Sequence, residues 1–324
     1  MLMSVLLFAV GLVLLIKGGD WFVDGATGIA KRFNLPDIVV GATVVSIGTT
    51  LPEVMVSTTG ALAGSGAMAY GNAIGSIICN TALIAAISIT CNPGPVNVKS
   101  MKTPAIFFFC SAAIYCLAAY GLGTFPRWLG FVMLTVFVIY MIMTVRNGLK
   151  NPDTGTGEEE EESKPKALWQ ELLLLVVGAA VIAVGADLLV EHGQIIAIGL
   201  GVPETVVALL FVALGTSLPE LVTTITSLKK GRASLGVGNV IGANIFNLVL
   251  VSGVAVSLAP FDVPVENELL NTGLNLSLVF DIPVMLLVMS LMIFPALMKK
   301  KLSRWQGILL LGIYAAFCVC QFVL

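Results

Sequence analysis

The sequence predicts an all-α integral membrane protein of ten transmembrane helices, arranged as two inverted-topology five-helix repeats. Three observations predict it. Its 324 residues are 57% hydrophobic and 11% charged, with a mean hydropathy of +1.00. That is more apolar surface than a water-soluble core can hide. The chain also repeats itself: GATVVSIGTTLPEVMVS around Glu53 returns as ALLFVALGTSLPELVTT around Glu220, 167 positions later and without a gap. The same offset superposes Gly18 on Gly185, Asp20 on Asp187, Pro36 on Pro203, Gly71-Asn72 on Gly238-Asn239, Gly75 on Gly242 and Asn80 on Asn247. The third observation is a one-sided distribution of basic residues.

At ~1.5 Å per helical residue across ~30 Å of hydrocarbon, the apolar runs place helices at roughly 2–30, 38–63, 68–90, 104–122, 128–146, 168–190, 206–228, 235–259, 276–298 and 305–324. The first lacks the basic start of a signal peptide, and its counterpart at 168–190 is internal. It reads as a retained helix.

Ten helices put 15 of the 17 Lys and Arg on one side: Lys31 and Arg32, Lys99 and Lys102, Arg146 and Lys150, Lys164 and Lys166, Lys229, Lys230 and Arg232, and Lys299, Lys300, Lys301 and Arg304. Arg127 lies on the other side and Lys17 within the first helix. The positive-inside rule makes the rich side cytoplasmic and both termini extracytoplasmic, in a multi-pass protein of the cell membrane. Five helices is an odd number, so the second repeat (168–324) enters from the opposite face to the first (1–146). Inverted repeats whose interrupted helices meet at the bilayer midplane are the usual build of secondary transporters. Between them, 147–167 is polar, rich in turn formers and carries five consecutive glutamates. It reads as a solvated cytoplasmic linker, with a regulatory cation site as the other reading.

The second and seventh helices are centred near Leu51 and Leu218, so Pro52 and Pro219 fall near mid-membrane. Each proline removes an amide hydrogen and loosens backbone carbonyls, which hydrocarbon tolerates only where protein, water or an ion satisfies them. Ser46, Thr50, Glu53 and Ser57 share one helical face, and Ala213, Ser217, Glu220 and Thr224 repeat it. The third and eighth helices place Asn72, Ser76 and Asn80, and Asn239, Ala243 and Asn247, on one face at steps of four. The shared donor set is oxygen alone, which selects calcium, magnesium or alkali cations over zinc or copper.

A membrane hydroxyl most often bonds back to its own helix, and Asn72 and Asn239 suit interhelical hydrogen bonding. A mid-membrane glutamate differs, because burying it costs roughly 3 kcal/mol or more. Asp20, Asp24, Asp187, Glu191 and Asp281 lie nearer helix ends, where interfacial solvation is expected. His192, the only histidine, is expected to be solvated on the outer side. Cys79, Cys91, Cys110, Cys116, Cys318 and Cys320 form no CxxC pattern and read as small packing residues.

The paired G-T-[ST]-L-P-E and G-N-x-I-G-[SA]-x-I-x-N stretches resemble the two alpha repeats of the sodium/calcium exchanger family, within the calcium/cation antiporter superfamily. The resemblance covers effectively the whole chain. It implies electrogenic exchange of sodium for calcium by alternating access, with the first and sixth helices sliding across the rest. Carried over by position, calcium would be held by Glu53 and Glu220 with the carbonyls of Thr49 and Thr216. Outer-side sodium would use Ser76, Ser217 and the Ala213 carbonyl, and inner-side sodium Thr50 and the Ser46 carbonyl.

The chain departs from the family pattern at Ala243, where members often have serine, and the inner sodium site loses a hydroxyl. Where the potassium-dependent branch has an aspartate, Asn80 and Asn247 are amides, so the site's formal charge is capped at minus two.

Three classes of function are weighed on these residues. The first is the sodium/calcium antiporter. The second keeps the fold but couples calcium or another cation to protons, since a desolvated glutamate can carry a proton as well as bind a cation. A passive channel or structural protein is third, and nothing in a simple pore requires kinked helices in register. No nucleotide loop or nucleophile constellation supports an enzyme. The implied partners are calcium and sodium ions as cargo and the lipid bilayer, with no cofactor, no nucleic acid and no obligate protein partner.

Overall fold

The computed structural model describes residues 2–150, 167–200, 215–264 and 275–323. Its helices are α1 (Leu2–Phe33), α2 (Asp37–Thr49), α3 (Leu51–Leu62), α4 (Gly66–Cys91), α5 (Val98–Leu122), α6 (Arg127–Lys150), α7 (Leu168–Gly199), α8 (Leu218–Lys229), α9 (Ala233–Leu258), α10 (Ser277–Lys299) and α11 (Arg304–Val323). Among the described residues seven helices are long and apolar enough to cross a membrane, or eight if the bent pair α2 and α3 is one span. The expected span at 206–228 is described only in its second part, α8.

Element boundaries follow the 167-residue offset. α3 (Leu51–Leu62) maps onto α8 (Leu218–Lys229), and the α-helical part of α4, Gly66–Cys79, maps onto Ala233–Phe246 of α9. The turn before each of these paired helices uses a left-handed glycine, Gly64 at φ 85° and Gly231 at φ 68°, where a side chain would clash with its own backbone.

Two short antiparallel ribbons tie the repeats to each other. β1 (Gly94–Pro95) pairs with β4 (Lys301–Leu302), and β2 (Thr124–Phe125) pairs with β3 (Phe261–Asp262). Each ribbon joins loops that the basic-residue count puts on the same side of the membrane. The ion pairs do likewise: Arg32 to Glu171 at 2.9 Å, Lys230 to Asp24 at 2.7 Å and Arg232 to Asp37 at 3.2 Å.

Packing divides the helices into two groups. α1 and α7 lie against each other on glycines: a Cβ on Gly11 would stand 2.8 Å from the Gly185 carbonyl oxygen, and one on Gly18 would stand 3.0 Å from that of Gly178. The pairing of 11 with 185 and 18 with 178 means that the two helices run antiparallel. Small residues let backbones touch, which supplies the close van der Waals packing that membrane helices depend on. The remaining helices surround α4 and α9, whose apolar windows are 72% and 83% buried against at most 39% for the other candidate spans. α2 and α9 meet backbone to backbone, since a Cβ on Gly41 would strike the Leu235 carbonyl and one on Gly238 the Ile38 carbonyl.

Several sequence expectations are corrected here. Asp281 is half-buried and accepts a 2.7 Å hydrogen bond from Gln321 Nε2 of α11, rather than being held by solvent alone. Asp20 and Asp24 are held by Lys230 rather than by solvent alone, at 3.7 and 2.7 Å. α7 continues past the expected end at 190 to Gly199, so His192 sits on a helix with its Nδ1 buried and unpartnered. Of the six cysteines only Cys79 is buried, while Cys91 and Cys110 are exposed.

Candidate functional site

Proline places the first break. Pro52 has no amide hydrogen to give the Gly48 carbonyl, and the chain bends by 46° between α2 and α3. Thr50, at the break, has φ −87° and ψ −1°, and Ser217, ahead of Pro219, has nearly the same values, −90° and 3°. Both lie in the sparsely populated bridge region common at active sites. Glu53 and Glu220 follow in the first turns of α3 and α8.

Further loosening comes from π-helical stretches. The helical bonds slip to five residues at Gly41–Val45, Asn80–Ala85 and Asn247–Val251, a pattern frequent at functional sites. Asn80 and Asn247 begin two of them, again 167 apart. Side chains take up some of the displaced carbonyls: Ser252 Oγ donates to the Asn247 carbonyl at 2.8 Å, and Tyr140 OH donates to that of Ala42 at 2.7 Å.

The two carboxylates both lie in the protein interior. Glu53 and Glu220 are both 0% exposed, and each lies within electrostatic reach of the other. Thr49 and Thr50 stand beside Glu220, yet none of the four carboxylate oxygens has a hydrogen-bond partner of good geometry. Thr50 Oγ1, Ser217 Oγ, Thr224 Oγ1 and both amide atoms of Asn80 and Asn247 are likewise buried and unpartnered. Most buried polar atoms in proteins are paired, so this concentration on two loosened helix pairs fits a cation-binding cradle. Among the described residues no cluster of three or more His, Cys, Asp or Glu occurs. The donors are therefore two carboxylates and neutral oxygens, the set that suits hard cations.

The other expected ligands are placed as follows. Ser46 Oγ has the Gly41 carbonyl at 2.8 Å and the Asn239 carbonyl at 2.9 Å as acceptors for its single proton, and the Ser46 carbonyl accepts from the Thr50 amide at 3.0 Å, leaving one lone pair. Ser76 is buried and donates to Asn72 Oδ1 at 3.4 Å. Thr216 is partly buried and reaches the same Asn72 oxygen at 3.4 Å. Ala213 lies outside the described residues.

Asn72 and Asn239 make the interhelical hydrogen bonds that the sequence suggests, and their partners include two of the expected site residues. Thr49 Oγ1 donates to Asn239 Oδ1 at 3.1 Å, and Thr216 Oγ1 to Asn72 Oδ1, so each asparagine bonds the threonine of the opposite repeat. Asn72 Nδ2 also donates to Ser57 Oγ at 2.8 Å. Their spacing of four and eight residues from Ser76 and Asn80, and from Ala243 and Asn247, was the available signal. The threonine partners were not visible in it. Asn244 was missed altogether: it has no polar counterpart in the first repeat and donates to Thr81 Oγ1 at 2.7 Å.

Buried carboxylates after prolines in both copies of a repeated helical sequence, inside an apolar shell, are the arrangement expected of a membrane transporter of cations. The chain belongs to the sodium/calcium exchanger family, whose model, described as sodium/calcium exchanger protein, matches residues 3–146 and 171–323. It is 34% identical over 307 residues to an uncharacterized membrane protein of Methanocaldococcus jannaschii, covering 95% of this chain and 94% of that one. It is 29% identical over 352 residues to the sodium/calcium exchanger MaX1 of Methanosarcina acetivorans, covering 98% of each. Among solved structures it is similar to the sodium-calcium exchanger NCX_Mj soaked with 2.5 mM Na+ and 10 mM Sr2+, with a TM-score of 0.78, 32% identity and 98% of each chain covered.

Proposed function

We infer that this antiporter exchanges sodium for calcium by alternating access at one site between two inverted five-helix repeats, within ten transmembrane helices. The observation that carries this reading is the pair Glu53 and Glu220: one carboxylate from each repeat, fully buried, with four unpartnered oxygens. Two negative charges match one calcium ion or two sodium ions, so the cargoes compete for the same neutralisation. Calcium is held by these carboxylates with the Thr49 and Thr216 carbonyls. Sodium reaching from outside uses Ser76, Ser217 and the Ala213 carbonyl, and sodium on the inner side uses Thr50 and the Ser46 carbonyl. Asn80 and Asn247 complete the wall with neutral amides. Asn72 and Asn239 hold Thr216 and Thr49 in place. The antiparallel contact of α1 with α7 supports the inverted arrangement, because these helices are equivalent under the offset. Their glycine-lined packing on each other supports motion of the pair as one body across the rest.

The direct test is radioactive calcium uptake into proteoliposomes. An outward sodium gradient is expected to drive uptake and a pH gradient alone to leave it at background. Uptake driven by pH and indifferent to sodium would transfer the fold to proton coupling.

A second test uses the difference between the copies. Ser76 offers a hydroxyl where Ala243, fully buried on α9, offers a methyl. One net polar contact is worth about 1 kcal/mol, so Ala243→Ser is expected to lower the sodium concentration for half-maximal exchange by roughly three- to fivefold. Ser76→Ala is expected to raise it. Calcium affinity without sodium should stay near wild type in both, and an unchanged sodium dependence in Ala243→Ser would remove this position from the sodium site.

Orientation follows from the basic side being cytoplasmic. In intact cells an impermeant thiol reagent should label a cysteine at Gly123 and leave one at Thr154 unlabelled. The opposite pattern would reverse the assignment of sides while leaving the repeat symmetry intact.

A further inference from the structure

The turn between α10 and α11 concentrates positive charge that ion exchange does not use. Lys299, Lys300, Lys301 and Arg304 fall within six residues, and all four are exposed. The turn is built rather than loose. Lys300 takes a left-handed conformation at φ 55°, and Lys301–Leu302 then pairs with Gly94–Pro95 as β4 on β1. Arg304 Nε donates to the Thr90 carbonyl at 3.0 Å, which fixes the guanidinium and leaves most of its donors free. Lys299 Nζ lies 5.4 Å from the centre of the Trp305 ring. Among the described residues none of the four forms a salt bridge.

These side chains and those of Pro93 and Pro95 border a groove of about 540 Å³. Four positive charges gathered in so short a stretch raise the local potential and favour an anion beside them. The surface beside the groove says which kind of anion. Phe294, Met298, Trp305 and Ile308, at the same ends of α10 and α11, are 51%, 83%, 45% and 56% exposed. Tryptophan is enriched where headgroups meet hydrocarbon, and basic pockets at helix ends suit anionic headgroups. An acyl chain can cover the apolar side chains while its phosphate sits among the basic ones, whereas a free inorganic anion has no apolar part.

We propose that the groove at the α10–α11 turn binds the phosphate of an anionic phospholipid, with its acyl chains against Phe294, Met298 and Ile308. This site is separate from the transport site, and its test does not depend on transport.

The purified full chain is delipidated, mixed with phosphatidylglycerol or phosphatidylcholine, and examined by native mass spectrometry. Wild type is expected to retain one phosphatidylglycerol at least about tenfold better than phosphatidylcholine. Lys299→Gln, Lys301→Gln and Arg304→Gln together should abolish that preference. The charge-preserving pair Lys299→Arg and Lys301→Arg should keep it, which separates loss of charge from loss of folding. The control triple Arg146→Gln, Lys150→Gln and Lys229→Gln, equal in charge and elsewhere on the same face, should also keep it. Unchanged retention in the patch triple, or equal loss in the control triple, would overturn the proposal. So would displacement of the lipid by millimolar inorganic phosphate, which would mark a free-anion site. Increased lipid retention when the five glutamates 158–162 are changed to glutamine would assign the groove to the linker instead.

Discussion

Glu53→Gln and Glu220→Gln are each expected to abolish calcium exchange while leaving the protein folded. Glutamine keeps the shape of the side chain and removes one of the two formal charges at the site. Losing one partner of a buried, closely paired charge costs about 2–5 kcal/mol, which is roughly a 30-fold or greater loss of calcium affinity. The apo protein should not suffer, because replacing one of two buried carboxylates within electrostatic reach relieves repulsion between them. Purified variants should therefore elute and melt like wild type without calcium. Calcium should raise the melting temperature of wild type, since a ligand that binds only the folded state stabilises it, and should leave both variants unmoved. Near-normal flux in either variant would falsify the role given to these glutamates.

Locking α1 to α8 is expected to have a comparably large effect on transport and almost none on binding. A Cβ built on Gly19 stands 3.8 Å from the Thr226 Cβ, inside the ~3.5–4.5 Å range that a disulfide requires. The double variant Gly19→Cys, Thr226→Cys should cross-link under mild oxidation once the Val222 side chain, 2.7 Å from that Cβ, rotates away. If α1 and α7 slide as a pair, the oxidised protein should lose exchange and a reductant should restore it. Equilibrium calcium binding should persist in both states, because neither position contributes to the ion site. The two single variants control for the native cysteines. Full cross-linking with undiminished exchange would show that α1 does not move relative to α8.

Much of the fold was legible because membrane helices advertise themselves by length and hydropathy. The duplication sharpened this further: helix boundaries at Leu51–Leu62 and Leu218–Lys229, and at Gly66–Cys79 and Ala233–Phe246, are 167 residues apart in both pairs. Pro52 announced the bend between α2 and α3. Other features were illegible for physical reasons. Hydropathy cannot say that Asp281 will meet Gln321, since that contact depends on the path of a helix 40 residues away. Charge near a helix end suggests solvation for Asp20 and Asp24, but Lys230 reaches them from the turn after α8, 206 or more residues away. Glu191 and His192 lie just past the expected end near 190, yet α7 runs on to Gly199. The helix continues because backbone hydrogen bonding does not stop where side chains become polar.

By itself the sequence determined that this protein lives in a membrane, that it is two copies of one unit, and that each copy places a glutamate just after a helix-breaking proline. These are properties of composition, repetition and local chain chemistry, and they need no knowledge of what lies across the bilayer. The tertiary structure alone decided that Glu53 and Glu220 are both fully buried within electrostatic reach, and that Asn239 takes the Thr49 hydroxyl while Asn72 takes that of Thr216. It also decided that α2 rests on α9 through Gly41 and Gly238. Those facts depend on how two helical units separated by 167 positions pack together. Close packing is a property of surfaces in contact, and no local pattern in the chain encodes which surfaces will meet.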